Sequence, residues 1–195
     1  MGQVIGVTGG IGAGKSTVLQ LLEGYGKPVL DSDAVVHQLY APASPVPALL
    51  ARRWGRQVLN PDGSADRRQI AARVFSAPAE LEWLDRLIHP MVKESIRRRA
   101  AELDEPLYCA VPLLFEAGWQ DEMACTVAVW CSPRVQERRL RRRGWQAHEI
   151  AARRQHQWSM DRKLEQADFG IINNGTSTLL AGQVNRLLAE LANKT

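Results

Sequence analysis

Gly9-Gly10-Ile11-Gly12-Ala13-Gly14-Lys15-Ser16 is the stretch that decides the fold of this 195-residue chain. Its spacing matches G-x-x-x-x-G-K-[ST], a phosphate-binding loop that follows a buried strand and opens a helix. An apolar run at residues 4–7 precedes it, and residues 17–22 continue it in a helical pattern. Glycines let the backbone N–H groups turn inward, the helix N-terminus adds its positive end, and Lys15 adds a full charge. The stretch therefore predicts a site for the triphosphate of a nucleotide.

The bulk composition limits the class of protein. With 195 residues and 45% hydrophobic content, the chain can form one α/β core with an insertion but not two comfortable domains. The formal net charge of +4 suits an anionic small substrate and does not require a nucleic acid. Cys109, Cys125 and Cys131 lie in apolar runs without C-x-x-C spacing, which favours reduced core residues. No apolar run approaches the roughly 18 residues of a membrane helix, so we expect a cytoplasmic protein without membrane or nucleic-acid partners.

Five strand-like apolar runs alternate with helical patterns along the chain. The runs lie at residues 4–7, 28–30, 107–111, 126–131 and 169–172, and a helical pattern at residues 178–191 closes the chain. Such alternation predicts a parallel, doubly wound sheet. We therefore expect the three-layer α/β/α architecture of a P-loop protein with a five-stranded parallel sheet.

The middle of the chain has a different composition. From residue 41 to about residue 103, prolines recur, strand-like alternation disappears, and helical patterns follow one another. The clearest patterns are residues 70–75, residues 81–88 and a basic helix that follows Pro90. We expect one P-loop domain with a core of residues 1–33, 104–134 and 164–195, a helical insertion on the sheet at about 34–103, and a further helical segment at about 135–163.

Three polar residues, Asp31-Ser32-Asp33, follow the second predicted strand. In open α/β sheets, ligands bind at the carboxyl ends of the strands, which is the edge where the phosphate loop begins. Asp31 or Asp33 is therefore expected to reach a substrate hydroxyl or a metal ion beside the phosphates. The alternative is that the three residues only cap a helix starting near Ala34, since Asp and Ser are good N-cap residues. We favour a catalytic role for Asp33.

Two other candidates have competing interpretations. His89 precedes Pro90, and a single histidine next to a proline is more often structural than functional. Phosphate-loop enzymes often carry an acid beside the loop that holds the metal ion, but Ala110 leaves the third strand without one. Glu116, in the segment after that strand, is the nearest carboxylate. It is either a ligand on the metal side or a solvated loop residue.

Arginines crowd the segment after the fourth strand. Five of the six residues 138–143 are arginines, and Gly144 joins this helix to a second helical pattern at residues 147–157. Such a pair predicts a lid whose closure brings guanidinium groups to a transferring phosphate and excludes water. An ordinary solvated basic helix and a nucleic-acid-binding patch are the alternatives. Because residues four apart share a helix face, Arg139 and Arg143 are the predicted phosphate ligands.

Taken in order, these segments resemble the dephospho-CoA kinase family of P-loop kinases, from Val4 to about Gly175. The first matching phrases are residues 8–17, Asp31-Ser32-Asp33, Asp66-Arg67, Val74-Phe75, His89-Pro90 and Pro112-Leu113-Leu114-Phe115-Glu116. The later ones are Gln136, Arg139-Leu140, Arg143, Arg153, Gln157, Lys163, Ala167-Asp168 and Asn173. Two positions depart from the family pattern. Ser32 replaces the usual Ala, and Ala110 stands where many members have Asp, which puts the outer shell of the metal ion in doubt.

The resemblance implies the final step of coenzyme A synthesis. ATP, with Mg²⁺, would phosphorylate the ribose 3′-hydroxyl of dephospho-CoA. Asp33 would accept or orient the hydroxyl proton, Lys15 would neutralise the β- and γ-phosphates, and Ser16 would bind Mg²⁺. The implied partners are these small molecules, and we expect a monomer or a weak homo-oligomer.

The resemblance also implies further binding residues. Arg139 and Arg143 would clamp phosphate from the lid, and Asn173 would lie near the adenine. The other expected nucleotide contacts are Gly9, Gly10, Ile11, Gly12, Ala13, Gly14 and Thr17. The expected acceptor contacts, besides Asp33, are Thr8, Arg67, His89, Leu113 and Glu116.

Three other classes of protein share parts of this pattern. A nucleoside or nucleotide kinase would have the same loop, acid and lid and would differ in its acceptor. A GTPase is disfavoured because no Asn-Lys-x-Asp element follows the fourth strand. A nucleic-acid-binding module depends on the arginine cluster alone, and its binding would collapse with salt.

Overall fold

The computed structural model describes residues 2–75, 77–155 and 157–193. The strands are β1 (Val4–Gly9), β2 (Val29–Asp31), β3 (Leu107–Ala110), β4 (Cys125–Trp130) and β5 (Phe169–Ile172). They form one parallel sheet in the order β2-β3-β1-β4-β5. The chain leaves β1 toward β2 and leaves β3 toward β4, so the strand order reverses between β1 and β3. The predicted sheet is confirmed, and the phosphate loop follows a strand at this switch point, where α/β folds bind ligands.

Helices fill the connections between the strands. They are α1 (Lys15–Gly24), α2 (Ser32–Leu39), α3 (Val46–Trp54), α4 (Arg67–Phe75), α5 (Pro78–Ala101), α6 (Pro133–Arg142), α7 (Ala147–Gln155), α8 (Met160–Gln166) and α9 (Ser177–Ala192). The helices predicted at residues 70–75 and 178–191 are confirmed as parts of α4 and α9. The pattern predicted for residues 147–157 corresponds to α7, although His156 lies outside the described residues. In the part of the chain that the structure describes, no helix is long and apolar enough to cross a bilayer.

Helix α5 corrects one prediction. The sequence indicated a helix ending at Ile88 and a second helix after Pro90, but α5 runs through Pro90 without a break. A proline inside a helix costs roughly 3 kcal/mol because it removes a hydrogen bond and crowds the preceding turn. Leu84, Ile88 and Val92 recur every four residues and are all buried, and Ile96 extends the stripe. Burial of such side chains gains roughly 1.5–3 kcal/mol each, which outweighs the cost of the proline.

The chain divides into two compact units. The core unit contains the residues up to Leu30 and those from Arg99 onward, and the helical unit contains Asp31–Arg98. In the core unit, α1 and α9 cover the sheet through one apolar cluster. Its fully buried members include Val7 and Val127 of the sheet, Val18 and Leu22 of α1, and Val184 of α9. The phosphate loop thus connects β1 and α1, and both of these elements are packed in the core.

Candidate active site

The phosphate loop, residues 9–16, needs glycine at its last turn before α1. Gly14 has a φ of +105° and immediately precedes the helix, a conformation that L side chains rarely adopt. A Cβ atom at Gly14 would lie 2.1 Å from Asn173 Nδ2. Both the backbone conformation and the lack of space therefore exclude a side chain at this position.

Lys15 supplies the positive charge of the loop. Its Nζ donates hydrogen bonds to Gly9 O at 2.7 Å and to Gly10 O at 3.4 Å, so the ammonium group lies over the loop. Ser16 and Thr17, both exposed, continue the first turn of α1, where backbone N–H groups lack partners within the helix. A lysine charge beside a helix N-terminus is an arrangement that binds phosphate.

Arg139 and Asn173 meet at the carbonyl group of Ala13. Arg139 Nη1 donates to Ala13 O at 3.1 Å, and Asn173 Nδ2 donates to the same oxygen at 2.8 Å. Arg139 Nη2 also donates to Asn173 Oδ1 at 3.0 Å. Two residues predicted for different parts of the nucleotide, a phosphate clamp and an adenine neighbour, thus lie together on the loop.

Arg143 does not join this group. Helix α6 ends at Arg142, and Arg143 is its exposed C-cap residue with non-helical backbone angles. The face shared by residues four apart requires both residues to be helical. The predicted pair is therefore split, with Arg139 on the loop and Arg143 at the solvent-facing end of the helix.

Two glutamines contact the loop at Ile11. Both belong to the residues that resemble the family pattern, but no role was predicted for either. Gln136 Nε2 donates to Ile11 O at 2.7 Å, and Gln157 Oε1 accepts from Ile11 N at 3.1 Å. Gln136 is only 4% exposed, and its Oε1 accepts from Arg154 Nη2. The spacing of Gln136 and Arg139, three residues apart, was the available signal, because such residues share a helix face.

Glu116 forms a buried ion pair. Among the described residues, Lys163 is the largest fully buried side chain, and its Nζ lies 2.9 and 3.0 Å from the two oxygens of Glu116. Glu116 Oε1 also accepts from Trp158 N at 2.7 Å. Burial lowers the pKa of Lys163, and the charge of Glu116 opposes that shift. The interpretation of Glu116 as a solvated loop residue is therefore wrong, since its side chain is only 14% exposed.

The backbone at Pro112 connects this ion pair to the end of β1. Pro112 O accepts from Lys163 Nζ at 2.5 Å and from Thr8 Oγ1 at 3.4 Å. Thr8 is fully buried, whereas Leu113, the other apolar candidate for acceptor binding, is 41% exposed. Of these two predicted acceptor contacts, Leu113 exposes its side chain to solvent. Thr8 is buried at the end of β1, where its hydroxyl group donates to Pro112 O.

In the helical unit, Asp31 is the N-cap of α2. Its Oδ1 accepts from Asp33 N at 3.0 Å, and the helix begins at Ser32, two residues before the predicted start. Asp33 lies in the first helical turn and is exposed. A carboxylate in this position is favoured by the positive end of the helix. Asp31 is therefore the cap of α2, and the chemical role of Asp33 stays a prediction.

Arg67 and His89, predicted on the acceptor side, belong to one electrostatic cluster of the helical unit. His89 Nε2 lies 3.7 Å from Asp85 Oδ1. Burial raises the pKa of Tyr40, while the nearby charge of Arg67 lowers it and that of Asp85 raises it. Burial also raises the pKa of Asp85, and His89 lowers it. We call Tyr40, Arg67, Asp85 and His89 the acceptor-side cluster.

A cavity of about 510 Å³ lies beside Tyr40 and Arg67. Its other lining residues include His37, Asn60 and Asp66. The lining carries cationic, carboxylate and amide groups, so the cavity is polar.

The described ranges contain no group of three or more His, Cys, Asp or Glu side chains that could hold a metal ion. Mg²⁺ accepts few protein ligands and usually keeps water and substrate phosphate oxygens in its octahedral shell. The hydroxyl of Ser16, exposed at the start of α1, is the group that P-loop proteins use for this purpose. The residues present therefore fit a magnesium ion that arrives with the nucleotide.

A parallel sheet with the phosphate loop at its switch point, a lysine over the loop and arginine-bearing helices beside it define a P-loop kinase. The family model for dephospho-CoA kinase matches residues 3–178 of this chain. The chain belongs to the dephospho-CoA kinase family, so the predicted class, an ATP-dependent phosphotransferase, is confirmed.

Similar proteins agree with this assignment. A dephospho-CoA kinase from Anaeromyxobacter dehalogenans is 41% identical over 194 residues, covering 97% of this chain and 92% of the relative. One from Gloeobacter violaceus is 38% identical, with 95% and 91% covered. A solved protein from Thermus thermophilus has a TM-score of 0.86 at 33% identity, covering 100% of this chain and 98% of that chain.

More distant solved structures share the fold alone. A dephospho-CoA kinase from Campylobacter jejuni has a TM-score of 0.73 at 21% identity, covering 100% of this chain and 99% of that chain. A shikimate kinase from Bacteroides thetaiotaomicron has a TM-score of 0.52 at 19% identity, with 98% and 99% covered. Kinases that act on different acceptors thus share this architecture, so the acceptor must be argued from the family and the site.

Proposed function

We propose that this protein transfers the γ-phosphate of ATP to the ribose 3′-hydroxyl of dephospho-CoA, the final step of coenzyme A biosynthesis. The observation that carries the proposal is the phosphate loop, in which Lys15 lies over the Gly9 and Gly10 carbonyls at the N-terminus of α1. Membership in the family supports the acceptor. Phosphoryl transfer requires positioning and charge stabilisation more than covalent chemistry, and the loop is suited to both.

On the donor side, Lys15 would shift from the loop carbonyls to the β- and γ-phosphate oxygens. The hydroxyl of Ser16 would hold Mg²⁺, which supplies neutralising charge to the same oxygens. Arg139 donates hydrogen bonds to Ala13 and Asn173, which places its guanidinium group at the loop, where its remaining N–H capacity and its charge would meet phosphate. Arg143 would add charge from the end of α6, and Asn173 would lie near the adenine.

On the acceptor side, we propose Asp33 as the group that accepts or orients the proton of the ribose hydroxyl. Asp33 lies two residues beyond β2 and is exposed in the first turn of α2. Arg67 and His89 would bind anionic groups of the acceptor, and the exposed side chain of Leu113 would contact its apolar part. Glu116 would act through the segment that it holds, since Lys163 and Trp158 N occupy both its oxygens.

The proposed organisation follows the same division of labour. Residues 1–33, 104–134 and 164–195 would form the core, residues 34–103 the acceptor-binding insertion, and residues 135–163 a lid that excludes water during transfer. We further propose a monomer or weak homo-oligomer that works in the cytoplasm with small molecules as its partners. The net charge of +4 is consistent with this. Salt-sensitive retention on DNA would contradict the part that excludes nucleic acid.

An assay of ADP release tests the acceptor directly. Dephospho-CoA, adenosine, AMP, CMP and shikimate are offered in parallel at equal concentration. We expect turnover with dephospho-CoA well above the others. Turnover with a nucleotide but not with dephospho-CoA would overturn the proposal.

The role of Asp33 is tested with a matched pair of variants. Asp33→Asn should lower kcat roughly 10²–10⁴-fold, because it removes a general base and keeps the shape, while ATP affinity is unchanged. Asp31→Asn is the control, because Asn caps a helix as well as Asp. Near-normal turnover of Asp33→Asn would remove Asp33 from this role.

A further inference from the structure

Side chains from other parts of the core unit donate hydrogen bonds to two carbonyl groups of the phosphate loop, those of Ile11 and Ala13. Gln136 holds Ile11 O, while Arg139 and Asn173 hold Ala13 O. In a trans peptide group, the C=O of one residue and the N–H of the next point in opposite directions. The N–H groups of Gly12 and Gly14 are therefore directed away from these side chains, where phosphate oxygens can accept from them.

The carbonyl group of Ile11 is bound by the uncharged side chain of Gln136, and a further hydrogen bond fixes the orientation of that side chain. Gln136 Oε1 accepts from Arg154 Nη2, so the amide nitrogen faces Ile11 O. Gln136 is buried, and both ends of its amide are used. Gln157 completes the contact by accepting from Ile11 N at 3.1 Å. The N–H group and the carbonyl group of Ile11 are thus each hydrogen-bonded to a glutamine side chain.

Helix α6 also packs against the loop at Gly12, the residue after Ile11. Leu140 lies four residues after Gln136, and a Cβ atom at Gly12 would lie 3.0 Å from its Cγ. Leu140 is fully buried. Helix α6 therefore contacts the loop both at Ile11, through Gln136, and at Gly12, through Leu140.

We propose that Gln136 is a positioning residue for ATP, which orients the Gly12 N–H group by holding the Ile11 carbonyl. Arg154 of α7 acts through Gln136 by fixing the orientation of its amide. The nucleotide site is thereby coupled to the two helices that the proposed function assigns to the lid. This inference rests on the proposed function only in taking ATP as the ligand of the loop.

The test compares two charge-matched variants at the same backbone position. Gln136→Glu removes the donor to Ile11 O, whereas Gln157→Glu keeps the acceptor for Ile11 N, and both add one negative charge beside Ile11. Arg154 lies next to residue 136 and would neutralise the charge added by Gln136→Glu. Charge repulsion of ATP should therefore be weaker in Gln136→Glu than in Gln157→Glu, so a larger loss of ATP affinity in Gln136→Glu cannot be due to the added charge. Gln136→Met removes the donor without adding charge and serves if Gln136→Glu does not fold.

Titration calorimetry with the full chain gives the dissociation constant of ATP, and initial rates give kcat and both KM values. We expect Gln136→Glu and Gln136→Met to weaken ATP binding about tenfold, because one oriented hydrogen bond is lost. Gln157→Glu should weaken it less, Arg154→Met should lie between wild type and Gln136→Met, and the KM of dephospho-CoA should not change.

Two results would overturn the positioning role. One is wild-type ATP affinity in both Gln136 variants. The other is an equal loss of affinity for both substrates together with a lower melting temperature, which would make Gln136 a merely structural residue. Failure of the wild-type protein to bind ATP would instead overturn the proposed function, so the two failures are distinguishable.

Discussion

The carbonyl groups of the phosphate loop accept hydrogen bonds from side chains elsewhere in the core unit, whereas Asp85 and His89 of the acceptor-side cluster form an ion pair between half-exposed side chains. In the loop, the Ile11 and Ala13 carbonyls accept hydrogen bonds at 2.7–3.1 Å. In the cluster, His89 and Asp85 lie 3.7 Å apart with side chains 39% and 48% exposed. Salt and pH affect exposed charges far more than buried backbone contacts. The phosphate loop is therefore preorganised, whereas we expect the proposed acceptor side to depend on solution conditions.

The largest expected effect comes from the ion pair of Lys163 and Glu116, in which the lysine side chain is fully buried. Lys163→Met leaves Glu116 without its counter-charge in a mostly buried position. We expect a loss of roughly 3–5 kcal/mol in the free energy of unfolding, as for other broken buried pairs. Urea denaturation measures it. The double variant Lys163→Met with Glu116→Gln should recover part of the loss, and unchanged stability of the single variant would contradict the burial argument.

Next in size is the loss of backbone geometry in the loop. Gly14→Ala places a Cβ atom 2.1 Å from Asn173 Nδ2 at a φ of +105°, and we expect kcat/KM for ATP to fall about a hundredfold. Gly182→Ala in α9 is the matched control, since its Cβ atom meets nothing within 4 Å. The control should keep full activity and gain at most about 1 kcal/mol of stability. ATP kinetics of Gly14→Ala close to wild type would show that the loop tolerates a side chain.

A smaller effect is expected in the acceptor-side cluster. Arg67→Met should raise the KM of dephospho-CoA about tenfold with little change in the KM of ATP, because it removes one positive charge that we propose binds the anionic acceptor. Arg52→Met, at another exposed arginine of the helical unit, is the control. The wild-type KM should rise with salt, and this dependence should weaken in Arg67→Met. If both variants changed the KM of dephospho-CoA equally, the effect would come from the overall surface charge and not from the acceptor-side cluster.

The smallest effect is a pH dependence in the core unit. Burial raises the pKa of Tyr108 to about 12, whereas an unfolded tyrosine titrates near 10. The folded state holds the proton more tightly, so this stability is full below pH 10 and is lost as the pH rises toward 12. The loss should reach about 0.8 kcal/mol at pH 10.5. Tyr108→Phe should lack it, and parallel stability curves for the two proteins from pH 9 to 10.5 would contradict the assignment.

Local patterns were sufficient where neighbours in sequence are also neighbours in space. The phosphate loop, the five strands and most helices were predicted because turn residues and apolar periodicity act over a few residues. The same reasoning was wrong at Pro90, since the gain that keeps α5 continuous comes from tertiary burial of Leu84, Ile88 and Val92. It also passed over α8, a seven-residue helix whose Lys163 is buried against Glu116.

The sequence by itself determined a phosphate-binding loop for a nucleotide in a parallel α/β sheet, because the spacing of residues 9–16 and the apolar periodicity around them are local features. The family resemblance extended this to the acceptor. Only the tertiary structure decided what the side chains around the loop do: Arg139 lies on Ala13 while Arg143 does not, Glu116 pairs with Lys163, and Gln136 holds Ile11. These contacts join residues more than 40 positions apart. Their partners are therefore chosen by packing of the whole core unit, which no local pattern records.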